Sequence, residues 1–154
     1  MSLPTPELRH FANLSVEVGK PIEVGQTGKG LRRFIGITGG TASGHGWTAR
    51  VLPGGADYQL VTSETTAELD AHYVLETDAG DLLYVRNRAL RVASAAVTAQ
   101  LVRGETVDPS LVYFRCVPTL ETASPSFAWV REKIFVGTGA RHPSRVEMQF
   151  FELG

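Results

Sequence analysis

The chain is poor in several residue types, and each shortage excludes a class of protein. Its single cysteine, Cys116, cannot form an internal disulfide, and its four histidines lack the spacing of metal ligands. No apolar run approaches the roughly 18 residues of a membrane-spanning helix. The N-terminus has neither the basic start nor the apolar core of a signal peptide. These absences predict a cytoplasmic protein with no metal site and no membrane partner.

An excess of charge of one sign is also missing. Fifteen basic and sixteen acidic side chains leave a net charge of −1 at pH 7, which favours no nucleic-acid partner. Lysine is scarce, with three residues against twelve arginines. Arginine suits bidentate pairing with carboxylate or phosphate. No dinucleotide fingerprint, complete phosphate loop or Gly-x-Ser-x-Gly elbow is present, so we predict no cofactor and no α/β-hydrolase mechanism.

Short runs of alternating apolar and polar residues dominate the 154-residue chain and predict β-strands in one domain, residues 1–154. We expect strands at 8–18, 22–27, 31–38, 46–52, 57–62, 67–77, 81–91, 111–121, 127–138 and 145–153. Consecutive strands without intervening helices exclude a parallel βαβ sheet. An antiparallel up-and-down β-barrel of about eight to ten strands removes the exposed sheet edges. A β-sandwich is the alternative.

One segment is typical of a short α-helix. Ser94 is a suitable N-cap, Val97 and Leu101 share a face, and Gly104 can end the last turn. Such a short helix must pack on the sheet to be stable. Cys116 alternates with apolar neighbours, so we interpret it as a small buried residue rather than a nucleophile.

Three predicted strands carry polar side chains at every second position. Because side chains alternate faces along a strand, each set shares one face. The sets are Tyr84, Arg86 and Arg88 on the first, Glu68, Asp70 and His72 on the second, and Tyr113 and Arg115 on the third. If these faces point to solvent, the polar side chains form an ordinary ladder of ion pairs, and the barrel is filled by Leu69, Val85, Val112 and Phe114.

Facing the lumen, the same sets predict a binding site. The arginines then form a cationic cluster for a carboxylate or enolate oxygen, and a carboxylate acts as general base. The candidate catalytic residues are Asp57, Asp70 and Glu121. The candidate substrate-binding residues are Arg86, Arg88, Arg115, Tyr73, Tyr84, Tyr113, Trp129 and Asn87, with the aromatic rings as flat walls.

Several local motifs occur in order from about residue 31 to the C-terminus. They are residues 37–41 (ITGGT), 51–58 (VLPGGADY), 69–73 (LDAHY), 84–88 (YVRNR), 113–115 (YFR) with Pro118 and Glu121-Thr122, Ala128-Trp129, and 135–139 (FVGTG). Together they resemble the domain of unknown function 3237 family, also called UPF0311. The resemblance implies a β-barrel similar to that of allene oxide cyclases and no established activity. The chain departs from the family pattern at Tyr58, His72 and Ala89.

The leading functional hypothesis is a cofactor-independent isomerase, cyclase or hydro-lyase. It would act by general acid/base chemistry on a small anionic or polyketide-like compound in the lumen. A non-catalytic small-molecule binding barrel is the alternative, and a structural module is a third reading. If the polar faces point inward, Leu83, Val85, Val112 and Phe114 point outward and need cover, so we expect a homo-oligomer, either a dimer or a trimer.

Overall fold

Ten β-strands and one α-helix make up most of the chain, and the computed structural model describes all residues, 1–154. The strands are β1 (Leu8–Val18), β2 (Ile22–Thr27), β3 (Gly30–Gly44), β4 (Trp47–Val51), β5 (Ala56–Val61), β6 (Thr66–Thr77), β7 (Leu82–Val92), β8 (Tyr113–Thr122), β9 (Ile134–Arg141) and β10 (Arg145–Leu153). Helix α1 spans Ala95–Val102, and short 3-10 segments span Pro109–Leu111 and Pro125–Glu132. No helix has the length and apolar character needed to cross a bilayer.

The strands close into an antiparallel barrel. Hydrogen-bonded neighbours run β1-β10-β9-β8-β7-β6-β4-β3, and β3 also pairs with β1, which closes the ring. β5 lies between β3 and β6 beyond the end of β4, and β2 pairs only with β3. Full closure satisfies the backbone groups that an open sheet would leave exposed at its edges. The predicted antiparallel barrel is confirmed.

Helix α1 has the predicted N-cap, because the Val97 backbone N–H donates to Ser94 Oγ over 3.1 Å. Its one buried residue is Leu101, which anchors it to the barrel. Gly104 then adopts a positive φ of +76°, as a helix-ending glycine does. The helix connects β7 to β8 at one end of the barrel.

Two predicted boundaries are wrong. β3 continues through the Gly39-Gly40 pair to residue 44, because Gly40 adopts a φ of +133° and passes so close to the Ser15 backbone of β1 that a Cβ atom would clash. Residues 127–132 are not the start of a strand. They belong to a 3-10 segment that begins at Pro125 and buries Phe127 and Val130.

Apolar side chains fill the barrel at the end where this 3-10 segment lies. Leu83 and Val85 are fully buried, and Phe135 and Phe150 are 1% exposed. Each such side chain contributes about 1.5–3 kcal/mol relative to an exposed one. The ring of Phe11 packs against those of Trp47, Trp129 and Phe135. The interior of the barrel is therefore packed at this end, and an open cleft lined by Phe11, Trp47, Phe127 and Trp129 lies beside it.

Candidate functional site

The parity of β6 and β7 decides which side chains enter the barrel. On β7 the inward-facing residues are Leu83, Val85, Asn87, Ala89 and Arg91, and on β6 they include Leu69, Ala71 and Tyr73. The intervening residues point outward. Burial of the apolar set is favourable and outweighs any gain from enclosing the more numerous charges of the other face.

The lumenal orientation considered for the polar strand faces is therefore wrong. The structure places Tyr84, Arg86, Arg88, Asp70, Tyr113, Arg115 and Glu121 on the outer surface of the barrel, and Trp129 on the 3-10 segment at its packed end. Leu69, Val85 and Phe114 are in the core, and Val112 packs against it. We predicted an oligomer because Leu83, Val85, Val112 and Phe114 were expected to point outward and need cover. They point inward instead, so this reason no longer applies, and self-association stays a prediction.

The outer face of β6 and β7 carries a fully partnered polar network, which we call the outer cluster: Asp70, His72, Tyr84 and Arg86. Arg86 donates from Nε and Nη2 to the two oxygens of Asp70, over 3.2 and 3.1 Å. His72 Nε2 lies 3.2 Å from Asp70 Oδ1, and its Nδ1 lies 2.6 Å from the Tyr84 hydroxyl. Partial desolvation opposes ionisation, but the bonds and charge of Arg86 prevail and lower the pKa of Asp70.

A cavity of about 90 Å³ lies inside the barrel at the end opposite the packed core. Twenty residues line it, eleven of them hydrophobic. Its polar lining consists of Asp57, Gln59, Tyr73, Asn87, Arg91, Arg141 and His142. Strand pairing places Asp57, Ala71 and Asn87 in one row across β5, β6 and β7. The small side chain of Ala71 leaves room between the two polar ones.

Unpartnered polar atoms converge on this cavity. Five buried side-chain nitrogen or oxygen atoms lack a hydrogen-bond partner, and all belong to cavity-lining residues: Asp57 Oδ1, Tyr73 OH, Asn87 Oδ1, Arg141 Nη1 and His142 Nε2. His142 Nε2 lies 3.3 Å from Glu147 Oε2 on the exposed face of β10, so four of these atoms lack both a hydrogen bond and an ion pair. An unpaired buried polar atom costs about 1–3 kcal/mol. Their shared location marks the cavity as the candidate site.

A chain of side-chain hydrogen bonds holds Asp57 in place. Gln59 Nε2 donates to Asp57 Oδ2 over 2.8 Å, and Arg33 Nε donates to Gln59 Oε1 over 2.9 Å. The Arg33 guanidinium also lies 3.4 Å from Glu23 Oε1. Because Arg33 can only donate, it fixes which end of the Gln59 amide faces Asp57. Oδ2 is thereby engaged, while Oδ1 has no partner.

Burial dominates the acid–base properties of the lining. Desolvation raises the pKa of Asp57, against the opposing effects of the Gln59 hydrogen bond and the Arg91 charge. Desolvation lowers the pKa of Arg91 to about 10, and the charges of Arg141 and Arg33 add to this effect. Desolvation also lowers the pKa of Arg141, and the charge of Arg33 adds to this effect. Both arginines remain cationic at neutral pH.

Two further groups near the cavity are proton-bound at neutral pH. Burial raises the pKa of the Tyr73 phenol, so its hydroxyl is available as a donor. Burial also raises the pKa of the Cys116 thiol to about 12. This value excludes a thiolate nucleophile at neutral pH and agrees with the interpretation of Cys116 as a small buried residue.

The cavity thus contains three of the sequence-derived candidates, namely Asp57, Tyr73 and Asn87. Sequence reasoning missed five residues that the structure brings to the same region: Arg33, Gln59, Arg91, Arg141 and His142. A usable signal existed for Arg91, which shares a face of β7 with Leu83, Val85 and Ala89, and for Gln59, which shares a face of β5 with the candidate Asp57. A polar residue on a face that buries its neighbours points into the barrel.

The sequence matches a known family over almost its whole length. Residues 6–153 match the family described as "Protein of unknown function (DUF3237)". The chain belongs to the DUF3237 family. The resemblance inferred from the motifs is therefore confirmed, and this DUF3237 protein shares its fold with relatives of known structure.

One relative is the UPF0311 protein RPA1785 of Rhodopseudomonas palustris, 40% identical over 143 residues, which cover 93% of this chain and 94% of that protein. Its crystal structure covers 99% of this chain and 100% of its own, with a TM-score of 0.94. A β-barrel-like protein of Acinetobacter baumannii is 37% identical, covers 99% of both chains and has a TM-score of 0.87. An enzyme of Penicillium herquei has the same fold, at 19% identity, 99% coverage of both chains and a TM-score of 0.70.

Proposed function

We propose that this DUF3237 protein is a cofactor-independent isomerase, cyclase or hydro-lyase that transfers a proton on a small organic molecule held in the barrel lumen. The convergence of four unpartnered buried polar atoms, Asp57 Oδ1 among them, on one cavity carries the proposal. Buried polar groups without partners concentrate at functional sites. The Penicillium herquei enzyme adds only that a protein with a barrel of this shape can be an enzyme, since fold does not determine reaction.

Asp57 is the proposed general base. Its Oδ1 is free of protein partners, and its pKa is raised by burial, which makes the carboxylate a stronger base. It removes a proton from a carbon atom of the substrate and returns it at a second atom, so no external reactant is consumed. Tyr73 and Asn87 are the neutral polar groups that can orient the substrate.

The buried arginines are the proposed electrophilic partners. Removal of a proton next to a carbonyl places negative charge on oxygen, and a preorganised cation in a water-poor cavity stabilises that charge. Arg91 is 7% exposed and Arg141 is half-buried, and both line the cavity with Asp57. The outer-surface arginines proposed from the sequence are replaced in this role by Arg91 and Arg141.

A non-catalytic binding barrel is the competing function, favoured by the mainly hydrophobic lining of the cavity. The two are separated by incubating the protein in D₂O with a small-molecule extract of Rhodopseudomonas palustris and following the mixture by mass spectrometry. An enzyme converts one compound into an isomer, or into a product differing by one water. Deuterium enters the product where the proton held by Asp57 exchanges with solvent before its return, or where water is added. A binder retains a compound unchanged.

The Asp57→Asn variant is the decisive comparison, with Asp70→Asn as the matched control on the outer surface. We expect the product with the unmodified protein and with Asp70→Asn, and none with Asp57→Asn. Equal product formation by all three proteins would contradict the assignment of Asp57. Retention of an unchanged compound without any product would favour the binding barrel.

A further inference from the structure

We infer that the lumen is selective for ligands that carry a single carboxylate group, and that Arg91 and Arg141 bind it. The inference rests on the proposed location of the ligand, and it names the class of compound that fits there. It depends on three features of the cavity: its charge, the state of its two arginines and its size.

The cavity region holds more positive than negative charge. The lining itself carries two guanidiniums, those of Arg91 and Arg141, and one carboxylate, that of Asp57. The neighbouring charges are paired, Arg33 with Glu23 and Glu147 with Arg145. One positive charge is therefore left over at neutral pH. Buried charges in proteins are normally paired, so a ligand with one negative charge complements this site.

Arg91 and Arg141 are the guanidiniums without partners. Neither makes an ion pair or a side-chain hydrogen bond, whereas Arg33 is engaged with Gln59 and Glu23. Arg91 is nevertheless 7% exposed, and Arg141 Nη1 is buried without a partner. A guanidinium presents donors in a planar fork that matches the two oxygens of a carboxylate. Mutual repulsion between the two cations is relieved when an anion lies beside them.

The size of the cavity limits the rest of the ligand. Its volume of about 90 Å³ is well below the roughly 150 Å³ of an engineered protein cavity that takes up benzene. Ala71 and Ala89 line it with side chains that occupy little volume. A carboxylate with a short acyl chain therefore fits, while a polycyclic compound does not fit entirely within the barrel.

Calorimetric titration of the full-length protein with short carboxylates and their neutral amides tests the inference directly. Butyrate and crotonate are compared with butyramide and crotonamide, which have the same shape without the charge, and inorganic phosphate is a third probe. We expect each amide to bind at least about tenfold more weakly than its acid, because it cannot form charge-assisted bonds. Equal affinity of acid and amide, tighter binding of phosphate, or no binding of either acid would overturn the inference.

Substitutions then test the two arginines. We expect Arg91→Gln and Arg141→Gln to weaken butyrate binding about 10- to 100-fold, the loss of a hydrogen bond to a charged group. Arg50→Gln is the matched control, because Arg50 forms an exposed ion pair with Glu76 outside the lumen. Ala89→Leu fills the cavity without changing any charge and should abolish binding. Unchanged affinity in both lumenal arginine variants would contradict their role, and the acid–amide comparison needs no variant to fold.

Asp57→Asn separates this inference from the proposed function. The substitution removes negative charge from the cavity, so butyrate binding should be kept or strengthened while proton transfer is lost. Carboxylate binding without any effect of Asp57→Asn on product formation would support the inference and contradict the proposed base. If Asp57→Asn abolished product formation but the unmodified protein bound no carboxylate, the result would support Asp57 as the base and contradict the inference.

Discussion

The two faces of the β6–β7 hairpin carry similar polar residues, but those on the outer face are hydrogen-bonded and those on the inner face include buried groups without partners. The outer cluster has a carboxylate, a guanidinium, an imidazole and a phenol, all joined by hydrogen bonds or ion pairs and all partly open to solvent. The inner face, one residue out of phase, contributes Tyr73, Asn87 and Arg91 to the cavity. There the Tyr73 hydroxyl and the Asn87 amide oxygen are buried without partners.

This difference shows that unmet hydrogen-bonding capacity, rather than density of charge, marks the candidate site. On the outer surface water screens the charges, and the network needs no ligand to be satisfied. Inside the barrel each polar atom has lost its water, so a missing partner costs free energy that a ligand can restore.

The largest expected contrast concerns two aspartates on neighbouring strands. Asp57→Asn should lower kcat by about 10²- to 10⁴-fold, the usual contribution of a positioned general base. Asp70→Asn should leave kcat within about twofold, because Asp70 faces solvent and bonds only to the outer cluster. The measurement is the initial rate of product formation. A larger loss in Asp70→Asn than in Asp57→Asn would place the reaction on the outer surface.

The fold was predictable because strand periodicity and turn residues are local signals. The strands at 8–18, 22–27 and 145–153 have the predicted bounds, and Gly80 adopts a φ of +89° in the predicted turn between β6 and β7. The 3-10 segment was missed because Phe127 and Trp129 satisfy the alternating pattern of a strand, whereas the residues that are buried, Phe127 and Val130, are three apart, as in a 3-10 turn.

The site was only partly predictable because parity fixes which residues share a face, but not which face is enclosed. Asp57 was found through its turn and family motif, whereas Arg91 lies at the end of an apolar series and Arg141 lies on a distant strand. Their meeting depends on barrel closure. The outward set was more conspicuous because exposed faces tolerate many charges.

The second prediction tests the hydrogen-bond chain behind Asp57. Gln59→Leu should lower kcat about tenfold and move the rising limb of its pH profile to higher pH, because the Gln59 hydrogen bond lowers the pKa of Asp57. Gln149→Leu, at an exposed position on β10, is the matched control and should have no effect. A lower kcat with an unshifted pH profile would reduce Gln59 to a packing role.

The third prediction concerns stability, where the two aspartates should have opposite signs. The pKa of Asp57 is raised in the native state. Its contribution to the free energy of unfolding is therefore greatest at pH values below the ordinary pKa of 3.8 and is lost as the pH rises through the native pKa. Asp57→Asn should therefore be more stable than the unmodified protein at pH 8, by about 0.5–2 kcal/mol, and should lose this advantage at pH 4.

Asp70 follows the opposite rule because its pKa is lowered in the native state. Its contribution to the free energy of unfolding is present at pH values above the ordinary pKa of 3.8 and is lost as the pH falls through the native pKa. Asp70→Asn should therefore be less stable than the unmodified protein at pH 8 and approach it in acid. Urea denaturation at both pH values measures the two differences. The same sign of change in both variants would show that the environments of the two carboxyl groups do not differ as described.

The smallest expected effect is that of Arg86→Gln on ligand binding. Arg86 was a leading candidate for anion binding from the sequence, but its guanidinium points outward and is already held by two bonds to Asp70. Butyrate affinity in calorimetric titration should stay within about twofold, since screened charges outside the barrel contribute little. Arg91, five residues along the same strand and of the opposite parity, is the comparison. If Arg86→Gln weakened binding as strongly as Arg91→Gln, the ligand would have to contact both faces of β7, which a closed barrel does not allow.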